Sequence, residues 1–248
     1  MAGVEIDAQG LHYTPLNQQI RAAVKAGAKE ITIRNVMGQR FIGDGLTGDV
    51  TITIEGVTGG DLGMLMKGPT LVVHGNADHA PGNTMDEGLI VIHGSSGDAT
   101  AHSMRGGCVY VRDDIGYRGG IHMKQYLEKR PILIIGGNAR AFLGEYMAGG
   151  LIIMLRMNDD INEPFAEMGI ASGIHGGEIY VRGSVANWIP GIGSAVRRAT
   201  PDEITTLGSN ISSFCSKFDI DPLPLMASPF TRIAPINARP FAGKYIWE

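Results

Sequence analysis

TITIEG (51–56), TLVVHG (70–75), LIVIHG (89–94) and CVYVRD (108–113) decide the fold, because one short β-type run returns every 19 residues. Extended outward, strand starts fall at Thr32, Thr51, Thr70, Leu89, Cys108, Ile132, Leu151 and Glu178, with insertions of five and eight residues in two of the steps. The second position of each run reads Ile33, Ile52, Leu71, Ile90, Val109, Leu133, Ile152 and Ile179. The fourth reads Asn35, Ile54, Val73, Ile92, Val111, Ile135, Met154 and Val181. Side chains two apart on a strand share a face, so these columns point inward. A unit of one strand has no room for a crossover helix and cannot bury its apolar face alone; neighbours must stack in register. The expected fold is all-β: a single-stranded right-handed parallel β-helix of about seven to eight coils. Nineteen is not a multiple of six, which argues against the left-handed hexapeptide form.

The return path repeats as well. Met66, Met85, Met104, Met123 and Met147 are each preceded by a small residue three positions earlier, namely Gly63, Gly82, Ala101, Gly120 and Gly144. Small residues let the backbone bend inward, and flexible methionines fill the space beneath. A methionine stripe with the coil period is a core ladder rather than a copper site.

Three segments follow. Residues 1–30 form an N-terminal cap, 31–183 the β-helix, and 184–248 a C-terminal helix with a proline-rich arm. Thr14-Pro15 predicts a helix start, Leu16, Ile20, Ala23 and Val24 its apolar face, and Gly27 its stop. This helix is expected to cover the open edge of the first rung. Thr200-Pro201-Asp202-Glu203 is a capping box that opens a second helix, with Ile204, Leu207, Ile211, Phe214 and Phe218 along one face to about Lys217. The tail from Asp219 holds five of the twelve prolines and reads as an extended arm, packed on its own rod or on a partner.

Composition narrows the function classes. A net charge of −4 gives no electrostatic grip on nucleic acid or an anionic membrane. The 36 glycines are roughly twice the usual share and fit many tight turns. Cys108 and Cys215 form no CxxC pair, which argues against a disulfide framework and fits a reducing, cytoplasmic setting. MAGVEIDAQG lacks a signal-peptide pattern, and no run of 18 apolar residues exists to span a membrane.

Chemistry is sparse. His74 and His93 share a strand position on adjacent rungs and are the best metal candidates, but their neighbours in that column are Glu55 and Arg112. A cation where a third ligand belongs favours a polar outer ladder. His79, His102, His122 and His175 fall in turns or insertions, and Asp44, Asp61, Asp78 and Asp98 in turns, where aspartate caps backbone amides. No Rossmann or P-loop context surrounds the glycines. The third strand position does carry a signal: Val72, Val91, Tyr110, Ile134, Ile153 and Tyr180 form an outward apolar stripe. Such a stripe needs a cover, either from the C-terminal arm or first insertion of this chain, or from a partner at a candidate interface.

GNTMDEG (82–88), SMRGG (103–107), GYRGGIHMKQY (116–126), GGNARAFLGEYMAGG (136–150) and IRNVMGQRFIGDGL (33–46) resemble the GXGXG domain of the glutamate synthase large subunit, in its separately encoded form. The resemblance implies a scaffold without catalytic, cofactor or metal residues of its own. Its partners would be an amidotransferase subunit that releases ammonia from glutamine, and a synthase subunit, with FMN and an iron–sulfur cluster, that uses the ammonia to make glutamate. A lone chain of this kind is free to form a homo-oligomer. More distant resemblances are to the β-helical subunit of formylmethanofuran dehydrogenase and to the small subunits of N-methylglutamate synthase-type systems. A stand-alone metalloenzyme using His74 and His93 is the reading from another class. SPFTRIAPINARPFAGKYIWE (228–248) has no counterpart in the resemblance.

Overall fold

A computed structural model describes residues 3–238 and shows a parallel β-solenoid. The chain runs β1 (Val4–Asp7), α1 (Tyr13–Lys25), β2 (Glu30–Met37), β3 (Thr51–Val57), β4 (Lys67–His74), β5 (Glu87–Ile92), β6 (Cys108–Val111), β7 (Ile132–Ile135), β8 (Ala148–Met154), β9 (Gly176–Arg182), β10 (Ser194–Arg198), α2 (Pro201–Cys215), α3 (Leu223–Met226) and β11 (Phe230–Pro235). Strands β1 to β9 pair in sequence order, all parallel. From β3 onward the register matches the 19-residue column reading: Ile52 pairs with Leu71, Leu71 with Ile90, and so on to Ile179. From β3 onward both inward columns are buried, and so are all five methionines of the return path, so that methionine ladder belongs to the core.

The ends correct the sequence reading. The strand expected from Thr32, β2, starts at Glu30, so that Ile31 and Ile33, not Ile33 and Asn35, pair with Ile52 and Ile54. Asn35 is instead a bulge residue at φ 57°, tied through its amide to Asp7 Oδ1 at 2.9 Å. Asparagine tolerates the left-handed region better than most residues. The edge of that rung is covered by β1, while α1 plugs the end of the core with Leu16 and Ile20. α1 begins one residue before Thr14, with His12 as N-cap accepting the Thr14 N–H at Nδ1. At the other end the winding continues past Gly183, with Val185 bridging to Phe165 and Pro190 to Ile170. Counted as closed circuits the solenoid makes about six turns, slightly fewer than the strand starts suggest, because the first and last strands open onto caps.

The C-terminal cap is built from the predicted helix and part of the arm. α2 starts at the expected capping box: Thr200 Oγ1 accepts from Glu203 N, and Glu203 accepts from Thr200 N. The arm folds back as α3 and β11. β11 pairs antiparallel with β9 on one side and with β10 on the other, giving the order β9-β11-β10. Ile233 thereby extends the inward ladder beyond Ile179. The last ten residues of the arm, 239–248, lie outside the described residues.

Candidate functional site: the outer stripe and the glycine arc

The outward stripe is internal to this chain. Val91, Tyr110, Ile134, Ile153 and Tyr180 are buried and Val72 is partly buried, beneath Leu207, Ile211, Phe214 and Cys215 of α2 together with Leu225 and Phe230. The partner-interface reading of these six residues is therefore corrected. The same apolar face of α2 that periodicity marks in sequence lands on the outward column of the sheet, making a second core outside the solenoid. Burial in this second core pushes the Tyr110 phenol and the Cys108 thiol above their ordinary values, so neither ionises near neutrality.

His74 and His93 do stack, with ring centroids 4.7 Å apart. Phe218, just beyond α2, sits edge-on against His93 at 5.0 Å. Desolvation, then the neighbouring His74 and Arg112, lower the His93 pKa. Arg112 is engaged with Asp113, and Glu55 with Arg34. The column thus holds two imidazoles between a paired carboxylate and a paired guanidinium, and among the described residues no group of three or more metal-ligating side chains comes together.

Of the turn aspartates, Asp98 works as a clasp between rungs, together with Asp114 and His79. Asp98 Oδ1 accepts Tyr117 N at 2.8 Å, Asp114 Oδ1 accepts Asn138 N at 2.7 Å, and His79 Nδ1 accepts Asp98 N at 2.8 Å. An imidazole that accepts at Nδ1 from a backbone amide is committed to structure. A cleft of about 400 Å³ lies where the second insertion folds over the corners of two rungs. Its charged groups satisfy one another: buried Arg156 binds Asp159 and the carbonyls of Asp160, Glu163 and Arg182, and Arg140 faces Glu167. Sequence reading missed Arg156, since nothing marks an arginine after a strand as buried.

The most regular feature is the return arc. Three residues in each turn take positive φ at alternate positions. One turn has Ala80, Gly82 and Thr84, and another has Arg118, Gly120 and His122. The outer two donate N–H forward to the next turn, as Arg118 does to Ala141 O and His122 to Glu145 O. The central residue donates back, as Gly120 does to Thr100 O at 2.7 Å. Alternating left- and right-handed residues thus send amides in both directions along the rod. A Cβ on Gly82 would sit 2.8 Å from Val109 Cγ2, which is why the central position stays small. The outer two have space for side chains, so Asp61, Leu65, Arg118 and Tyr146 occupy them despite a left-handed cost of about 1–2 kcal/mol each. Glycine content alone shows only the central column.

The chain is thus a solenoid whose turns close through this alternating left-handed arc. The GXGXG motif family matches residues 14–224, and the chain belongs to that family, to which the C-terminal domain of the glutamate synthase large subunit also belongs. It is also 50% identical over 253 aligned residues to uncharacterized protein MJ1350 of Methanocaldococcus jannaschii, an alignment covering 99% of this chain and 97% of that one. No helix among the described residues is long and apolar enough to cross a membrane.

Proposed function

We propose that this chain is a non-catalytic scaffold subunit of a split glutamate synthase-type complex. Membership of the GXGXG family across residues 14–224 carries this reading. The local chemistry supports it: the polar side chains that a catalyst would use are spent between rungs. His79, Asp98 and Asp114 hold backbone amides, and Arg156 holds an insertion. The partners are an amidotransferase subunit and an FMN and iron–sulfur synthase subunit. The scaffold contributes a stiff rod against which both are held in register for ammonia transfer, in the cytoplasm.

Affinity purification of the tagged chain from its native host tests the proposal. Co-purification of a glutamine amidotransferase and a flavoprotein, with glutamate formed from glutamine and 2-oxoglutarate, is the expected outcome. Recovery of molybdenum or tungsten subunits instead would transfer the chain to a formylmethanofuran dehydrogenase-type assembly.

A further inference from the structure

The sheet ends on an open edge. In the order β9-β11-β10 the last strand, β10, pairs only with β11 among the described residues, and all of its residues but Ser194 are exposed. It carries no proline and its register with β11 is unbroken, so its two arginines are its only blunting device. Arg197 is drawn onto Glu203 of α2. The apolar ladder also runs out here. Val196 pairs with Ile233, which pairs with Ile179, so Val196 stands in the inward column that starts at Ile52. The earlier members of that column are buried, whereas Val196 is 38% exposed. Trp188 and Ile192, in the last circuit of the solenoid, are 69% and 53% exposed.

The backbone of β10 defines what fits this edge. In an antiparallel pair, successive residues turn their N–H and C=O groups to opposite sides. Ile236 N donates to Gly193 O, and Ala199 N to Phe230 O. Odd-numbered residues of β10 therefore face β11, and Ser194, Val196 and Arg198 face the open edge. Two of their groups are already spent: Ser194 N donates to Gly191 O, and Arg198 O accepts from Arg197 Nη1 at 3.0 Å. What remains is Ser194 O, Val196 N and O, and Arg198 N. An antiparallel second copy, turned about a twofold axis at Val196, matches this set to itself. Val196 N meets Val196 O in both directions, and Arg198 N meets Ser194 O in both directions. Ser194 N and Arg198 O, which would face each other, are the pair already satisfied. The same register sets Arg198 opposite Ser194 and Arg197 opposite Ala195, so no arginine lies directly across from another.

We propose that β10 pairs antiparallel with β10 of a second copy and joins two solenoids end to end in a twofold dimer. The inward ladder then runs Ile179, Ile233, Val196 and on into its symmetry mate. The occupant is a second copy because the edge complements itself even in the groups it has withdrawn; a strand of ordinary alternation would leave its own groups unpaired opposite Ser194 N and Arg198 O. The dimer concerns the chain's own assembly and holds whichever enzymes the scaffold carries.

Val196→Pro removes the central donor of the open edge without touching a bond to β11, and proline is tolerated on such an edge. Sedimentation of the purified full chain at micromolar concentration should give twice the chain mass. Val196→Pro should give the mass of one chain, with the far-ultraviolet circular dichroism unchanged. Val196→Cys supplies a second measurement that does not depend on the proline variant folding. At the axis its Cα would lie about 5.5 Å from its mate, within disulfide reach. Mild oxidation should therefore crosslink Val196→Cys into a covalent dimer. Wild type, which keeps Cys108 and Cys215, and Arg198→Cys, which lies off the axis, should stay uncrosslinked. A monomeric wild type overturns the inference, whether the edge is bare or covered from within the chain. So does a dimer that persists in folded Val196→Pro, and so does a dimer that Val196→Cys fails to crosslink.

Discussion

Tyr110 on β6 meets Phe214 on α2 edge-on, with ring centroids 5.8 Å apart and planes at 69°. This contact closes the second core. It turns the outward stripe from a surface awaiting a partner into an interior seam between the solenoid and its own C-terminal helix. Phe214→Ala should cost about 3–5 kcal/mol in urea unfolding and raise binding of a hydrophobic dye, because the stripe is then partly bared. Val91→Asp buries a charge without a partner and should destabilise the isolated chain by several kcal/mol. An isolated chain that keeps its stability with Val91→Asp but loses an assembly would restore the interface reading.

The central arc position gives a second prediction. Gly82 has φ 74°, and a Cβ there would crowd Val109 of the neighbouring strand. Gly82→Ala combines left-handed strain with overpacking and should cost about 2–4 kcal/mol. The equivalent position one turn on is already Ala101 at φ 60°, so Ala101→Gly should change stability by less than about 1 kcal/mol. Equal effects at the two sites in thermal unfolding would show that the arc is not discriminating by space.

Periodicity exposes whatever repeats on every turn, which is why the Ile52–Leu71–Ile90 ladder and the Met66-to-Met147 column are legible in the sequence. Singular features have no such amplification. β1 is four residues, VEID, paired with β2 at an offset of 27 residues (Val4 with Ile31) instead of 19, and β11 is an antiparallel strand inserted beside a parallel stack. The first rung pairs 21 residues ahead of β3 (Ile31 with Ile52) and the bulge at Asn35 takes up one of the two extra residues (Val36 with Gly56), invisible without the pairing. Left-handed Leu65, Arg118 and Tyr146 carry no glycine to announce them. The apolar faces of α2 and of the stripe are each readable alone; that one covers the other is a tertiary fact.

Acid should loosen the C-terminal cap. Hydrogen bonds from Arg197, then from the Thr200 amide, with the charges of Arg197 and Arg232, hold the Glu203 carboxyl down to about 2 from an ordinary value near 4.5. The unfolded chain takes up this proton first as pH falls. Glu203 therefore contributes its full stabilisation above about 4.5 and loses it progressively toward about 2. Glu203→Gln should cost about 1 kcal/mol at neutral pH and flatten the stability profile across that window. An unchanged slope between wild type and variant would place the acid sensitivity elsewhere.

The histidine stack separates scaffold from metalloenzyme. Burial beside Phe218, followed by the charges of His74 and Arg112, depresses the His93 pKa, so His93 is neutral in the folded chain near pH 7. Its preference for the neutral form adds stability above the unfolded value of about 6.5, and that stability is lost as pH falls below it. His93→Phe keeps the ring against Phe218 and removes the titration, so it should leave stability at pH 8 within about 1 kcal/mol of wild type and raise it relative to wild type at pH 5. Two imidazoles with an arginine in the next column position do not complete a tetrahedral zinc set. Purified protein should therefore carry no stoichiometric zinc, and His93→Ala should leave its metal content unchanged. Zinc at one equivalent that disappears with His93→Ala would make this column a metal site and reopen the enzymatic reading.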